Sequence, residues 1–211
     1  MDSALRLTER VIPAEEYKRL WVRWCDELEK ELKEERMEEL IFIAPDESRE
    51  AEVWDYLEEF ERYHSDIHGA GGLDRFCGDY PGWLRRVRAL ADVEHVPAGR
   101  LPGPTFLVLR KSDGRMVGMV NIRHYLNEEM LRTGGHVGYS VRPTERLRGC
   151  GAEILRMALD YLRGIGLDRA LVTCDTANLG SAGVIRRNGG VFENEDYEDD
   201  GTPVSRYWIA L

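Results

Sequence analysis

The stretch from residue 136 to residue 166 constrains this chain most. His136 to Arg142 alternates, with Val137, Tyr139 and Val141 on one face and His136, Gly138, Ser140 and Arg142 on the other, as a half-buried strand does. Pro143 cannot donate to a ladder and ends the strand. Ile154, Leu155, Ala158, Leu159 and Leu162 then share one stripe of a helix that Gly164 and Gly166 stop. Arg146-Leu147-Arg148-Gly149-Cys150-Gly151-Ala152 joins the two. Its glycines let the backbone curl until successive N–H groups face one anion, and a pyrophosphate fits that description. Arg146 and Arg148 add positive charge, and guanidinium can fork onto phosphate oxygens. The turn is not a P-loop, because no Lys-Ser or Lys-Thr pair follows its second glycine, and it lacks the third glycine of a dinucleotide fingerprint. Taken alone it is also compatible with a tight turn that holds no ligand.

The remaining texture places this junction in an α/β protein. Leu20, Trp24, Leu28 and Leu32 recur every fourth residue from about Ala14 to Leu40 and predict an amphipathic helix. Val53, Leu57, Phe60 and His64 predict a second, and Asp79-Tyr80-Pro81 opens a third carrying Leu84, Val87 and Ala91. Three glycines between Ile67 and Gly72 break the chain between those two helices. The aromatics Trp54, Tyr56, Tyr63, Tyr80 and Trp83 read as core, with a substrate wall as the alternative. From Pro104 the runs Thr105–Arg110 and Met116–Ile122 predict a β-hairpin around Ser112-Asp113-Gly114-Arg115. Ala170–Cys174 reads as a buried strand, Ser181–Arg187 as a short helix, and Val191–Asn194 and Val204–Ala210 as strands around the acidic stretch Glu195 to Gly201.

A chain of 211 residues is read as one domain, residues 1–103 being a helix-rich part and 104–211 a mixed sheet with helices packed on it. No apolar run approaches the ~20 residues of a membrane span, and the start lacks a signal-peptide pattern, so the expected location is the cytoplasm. Cys25, Cys77, Cys150 and Cys174 are too scattered for a disulfide framework or a zinc site, and no metal is expected. With 29 Lys and Arg against 39 Asp and Glu, the net charge of -10 disfavours nucleic acid as a partner.

Val141-Arg142-Pro143 followed by Arg146-x-x-Gly149-x-Gly151 resembles the acetyl-CoA motif of the GCN5-related N-acetyltransferase (GNAT) superfamily. Asn178-x-x-Ser181 followed by Val184-Ile185-Arg186-Arg187-Asn188-Gly189-Gly190 resembles that family's second signature, in the right order and at the right separation. The resemblance covers about residues 104–211. It implies a mixed, mostly antiparallel sheet with two splayed strands, His136–Arg142 and Ala170–Cys174, and acyl-CoA in the gap. It also implies cofactor contacts from Val141, from Arg146, Leu147, Arg148, Gly149, Cys150, Gly151 and Ala152, and from Asn178 and Ser181. The implied activity is acetyl transfer from acetyl-CoA to a primary amine of a small molecule, an amino-acid derivative or a peptide; dimers also occur in the superfamily.

That chemistry needs a neutral amine, an oxyanion donor and a proton for the departing thiolate. His136, where relatives carry Glu, is the first choice of base, and His124 the second. Relatives often protonate the thiolate with a Tyr on the short helix, but Ile185 stands there, which leaves Tyr139 or Tyr207, or unassisted departure. Cys150 fills a variable position and has no paired base in sequence. The acidic stretch Glu193 to Asp200 reads as a solvated loop, or as a lure for a cationic acceptor. Two other classes stay open: a non-catalytic acyl-CoA-binding or regulatory module, and a nucleotide-binding module sharing only the glycine turn.

Overall fold

In a computed structural model describing residues 39–211 together with Glu16, Arg19 and Arg23, the β-branched runs either side of residues 111–115 form the expected hairpin. Contacts divide the chain into two units, Met1–Met37 and Glu38–Leu211, and every element named below belongs to the second. Glu16, Arg19 and Arg23 are helical and exposed; Leu20, Trp24, Leu28 and Leu32 of the predicted first helix lie outside the described residues.

The first sheet has the order β1 (Leu40–Ile43), β2 (Thr105–Arg110), β3 (Met116–Ile122), β4 (Val137–Val141), all antiparallel. Its first strand adds a β-element to the part, residues 1–103, that the sequence reads as helix-rich. The predicted helix does not run to Leu40, because Leu40 to Ile43 pair with Arg110 to Leu107 on the open edge of the hairpin. Alternation, reset by a bulge opposite Val108 and Leu109, then gives two faces. Val108, Val117, Val120 and Ile122 pack with Ile154, Leu155, Ala158 and Leu162 of α3 (Cys150–Gly164). Leu107, Leu109, Met116 and Met119 pack instead with α1 (Glu50–Arg62) and α2 (Tyr80–Ala91).

The aromatic residues of those two helices serve the core. Tyr56, Phe60, Tyr80 and Trp83 are at most 1% exposed, a burial worth about 2 kcal/mol for each such side chain. Asp79 caps α2 by accepting the Gly82 N–H at 2.8 Å. The second sheet has the order β5 (Arg169–Asp175), β7 (Pro203–Ala210), β6 (Val191–Tyr197), also antiparallel. α4 (Leu179–Arg187) follows β5, and Asn178 caps it through the Ser181 N–H at 2.9 Å.

No ladder joins β4 to β5. The two touch at their starts, where the His136 N–H donates to Leu171 O at 2.7 Å and the Leu171 N–H donates to His136 Nδ1 at 2.9 Å. Beyond that pin the two edge strands diverge.

Candidate active site

The divergence opens a cleft of about 800 Å³, walled by β4 and β5 and closed at one end by the glycine turn. In the β3–β4 ladder the Arg142 N–H donates to Val117 O, and the two-residue alternation puts Gly138 and Ser140 in the same hydrogen-bonded set. Val137, Tyr139 and Val141 therefore turn their backbone N–H and C=O groups away from β3, into the cleft. Arg146 Nε donates to Val141 O at 3.3 Å, as that orientation requires.

At the closed end the backbone is left-handed twice, at Leu147 (φ 63°) and at Gly149 (φ 87°). A non-glycine residue in that region is strained by roughly 1 kcal/mol, and the Leu147 side chain is fully exposed with no packing to compensate. The geometry leaves the N–H groups of Leu147, Arg148, Gly149 and Gly151 donating to no protein acceptor among the described residues. Those donors open α3, whose dipole also favours an anion.

Of the residues assigned to cofactor binding from sequence, Val141, Arg146, Leu147, Gly149, Gly151, Ala152, Asn178 and Ser181 line the cleft. Arg148 and Cys150 do not. Arg148 leans back to Glu145 at 3.3 Å, and Cys150 turns its side chain into the core beneath α3. Arg146 lines the wall, with Nη2 donating to Ser65 Oγ at 2.7 Å and its guanidinium over the Phe60 ring.

The histidines sit elsewhere. His136 is buried in the pin between the two sheets, its ring edge-on to Trp208, and it does not line the cleft. His124 places Nε2 2.9 Å from Tyr161 Oη on α3, also off the cleft. Tyr139 does line it, with Oη 3.2 Å from Ser181 Oγ, and burial pushes the phenol up to about 12. Ile185 is fully buried, so α4 presents no hydroxyl at that position.

Among the cleft residues that no motif marks are Asp66 and His68 on the loop after α1, Arg123 after β3 and Asp175 at the end of β5. The loop reaches β4 because Gly69 (φ 69°) has no side chain; a β-carbon there would stand 2.2 Å from Gly138 O. Ser140 Oγ donates to His68 O at 2.6 Å and fastens the contact. The glycine break at 67–72 was the available signal. Of the acidic stretch, Glu198 reaches the cleft, whereas Glu193 pairs with Arg206 and Asp199 with Arg132.

The family model of the acetyltransferase (GNAT) domain matches residues 19–191. This chain is a GNAT-family acetyltransferase. Acetyl-CoA is the donor of that family. A comparison with curated protein sequences gives no match. Among solved structures it is similar to the ribosomal-protein-S5-alanine acetyltransferase from Vibrio fischeri, at TM-score 0.60 and 19% identity over 81% of this chain and 91% of that one. It is also similar to a GNAT-family acetyltransferase from Streptococcus pneumoniae, at TM-score 0.55 and 18% identity over 82% and 100%. A third is the microcin C7 self immunity acetyltransferase MccE, solved with acetyl-CoA and AMP, at TM-score 0.61 and 12% identity over 83% and 94%. At such identities the likeness is one of fold. Among the described residues no helix is long and apolar enough to cross a membrane, and no group of three His, Cys, Asp or Glu could hold a metal ion.

The buried pin gives the acetyltransferase a pH dependence. Burial, helped by the Arg123 charge, lowers the His136 pKa below its ordinary value. The Leu171 N–H also needs a lone pair on Nδ1, so the imidazolium would break the pin. Unfolded, the same His titrates near 6.5 and binds more protons than the folded chain below that pH, so stability falls as the pH drops from ~6.5. His136→Asn, which keeps an acceptor without titrating, is expected to flatten the fall of Tm between about pH 6.5 and 5 in a thermal melt series. Part of the slope persists through His124, whose pKa burial also lowers. An equally steep slope in His136→Asn removes the assignment.

Proposed function

We propose that the chain transfers the acetyl group of acetyl-CoA to a primary amine of a small molecule, an amino-acid derivative or a peptide, by direct attack. The observation that carries this reading is the continuity of the cleft. Unpartnered amides at Leu147, Gly149 and Gly151 lie in the glycine turn, outward backbone groups of β4 along the wall, and the side chains of Asp66, His68 and Tyr139 line the same space. The amides would hold the pyrophosphate, aided by Arg146, while Val141 and Tyr139 backbone groups hold the pantetheine arm. An outward N–H of β4 would hold the oxyanion. Asn178, whose Oδ1 is taken by its cap, would offer Nδ2 beside Ser181. MccE, which shares this fold, was solved with acetyl-CoA.

In this reading Tyr139 gives its proton to the departing thiolate, since its phenol lines the cleft and Ser181 Oγ, 3.2 Å from its Oη, orients it. His68, exposed on the cleft beside β4, takes the proton from the amine in place of His136 and His124, which face away. Tyr139→Phe is expected to lower kcat about 100-fold with acetyl-CoA affinity unchanged, and His68→Ala to lower kcat similarly. Equal kcat in either variant removes that role.

The reading is tested by following thiol release from acetyl-CoA against a panel of amines. Release that requires both the amine and acetyl-CoA is expected; acetyl-CoA binding with no release for any amine would favour the non-catalytic module instead.

A further inference from the structure

Beside the start of β4, where the cleft narrows towards the pin, the cation lining it is Arg123. Arg123 follows β3 directly, and its N–H donates to His136 O, so it sits beside the start of β4. Its side chain lines the cleft. Nη1 donates to Gly134 O at 3.2 Å and Gly135 O at 2.9 Å, which fixes the guanidinium. Nη2 is turned towards Gly138, 3.9 Å from where a β-carbon would stand on that residue.

Three other inward arginines meet carboxylates: Arg110 pairs with Glu145 and Asp113, Arg142 with Glu59 and Asp55, and Arg206 with Glu193. Arg123 has none within 4.0 Å among the described residues, although burial already disfavours its charge and Glu129 acts on it only from a distance. A guanidinium that is held rigid, partly desolvated and short of a counter-ion is suited to pair with a carboxylate, which it can grip with two parallel hydrogen bonds.

We propose that Arg123 is the carboxylate-binding subsite for the acceptor, so that the acceptor is a zwitterion, an amino acid or close analogue, rather than a peptide N-terminus. This rests on the acetyl-transfer reading. The spacing suits it, because Nη2 stands next to Gly138 and the outward groups of Val137 and Tyr139 flank that residue, so amine and carboxylate are only a few atoms apart. Asp66, Asp175 and Glu198 on the same cleft favour the ammonium end and repel a dianionic group such as a phosphate monoester. Gly138 keeps the approach open: a side chain there would project between Arg123 and the backbone of Gly69.

The test compares free L-amino acids with their carboxamides as acceptors, by thiol release and by calorimetric titration of each onto the protein saturated with CoA. Free acids are expected to exceed the amides in kcat/KM and in affinity by at least about tenfold, the worth of a charge-assisted pair. Arg123→Gln should abolish that ratio, and Arg123→Lys should restore part of it. The readout is the ratio within one protein, so partial loss of fold does not mimic the result. Amides acetylated and bound as well as the acids overturn the proposal and leave the acetyl-transfer reading intact. No release and no binding with either series overturns the proposal. Failure of acetyl-CoA itself to bind overturns the broader reading.

Discussion

Gly149→Val is expected to remove acetyl-CoA binding, lowering its affinity at least about 100-fold in calorimetry, while the far-ultraviolet dichroism of the fold is retained. The cost does not come from crowding within the protein, since a β-carbon on Gly149 meets no atom within 4 Å. It comes from φ 87°, which a β-branched residue adopts only with strain of about 2 kcal/mol. Relaxing that strain turns the amides of Arg148, Gly149 and Gly151 away from a common point, and convergence on one anion is what makes the turn a binding site. At the size of this chain the stability loss corresponds to a Tm fall of roughly 5 °C, so the variant can be studied folded. Unchanged affinity would show that these amides do not hold the cofactor.

Glu59→Ala is expected to cost more in stability than any other substitution discussed. Glu59 lies on α1 and is 7% exposed. Its Oε1 accepts the Thr144 N–H at 2.9 Å and the Thr144 Oγ1–H at 2.8 Å, and its Oε2 accepts Arg142 Nη1 at 2.9 Å. Beside it, buried Glu145 accepts Arg110 Nη1 at 2.8 Å and pairs with Arg115 Nε at 2.9 Å. These two carboxylates tether the segment that leads into the glycine turn to α1 and the hairpin. Removing Glu59 leaves the buried Arg142 with the exposed Asp55 as its one carboxylate partner and the Thr144 N–H without its acceptor, a cost of about 3–5 kcal/mol. Chemical denaturation is the measurement. Glu59→Gln, which keeps an acceptor for Thr144, should lose roughly half as much. A loss below about 1 kcal/mol in Glu59→Ala would mean that the network is solvated rather than structural.

This network also marks where sequence reading stops. Gly149 and Gly151 were legible because a backbone requirement is written directly in residue type, and α3 and the hairpin because their apolar periods run unbroken over many residues. β1 was not, since its four residues, Leu40–Ile43, follow a charged stretch patterned as a helix and are too few to show a period of their own. His136 was misplaced for another reason. The strand His136–Arg142 is observed as Val137–Val141, which leaves His136 just before it, and the Leu171 N–H that claims its Nδ1 comes 35 residues later, on a strand whose distance no local pattern encodes. His68 and Arg123 escaped because the cleft wall is tertiary: it exists through the contact of Gly69 with Gly138, and neither residue belongs to a motif. Arg148 and Cys150 show the converse, motif members whose side chains the fold directs to Glu145 and to the core.

The central claim is that the amides at the start of α3 receive acetyl-CoA in the gap between β4 and β5. Hydrogen exchange, measured with and without acetyl-CoA, tests it at the atoms concerned. Slowed exchange confined to the amides of residues 147–152 and of Val137, Tyr139 and Val141 on β4, absent in Gly149→Val, is the expected result. Acetyl-CoA bound with those amides exchanging as before, or protection of the same amides by ATP or NAD instead, would contradict it.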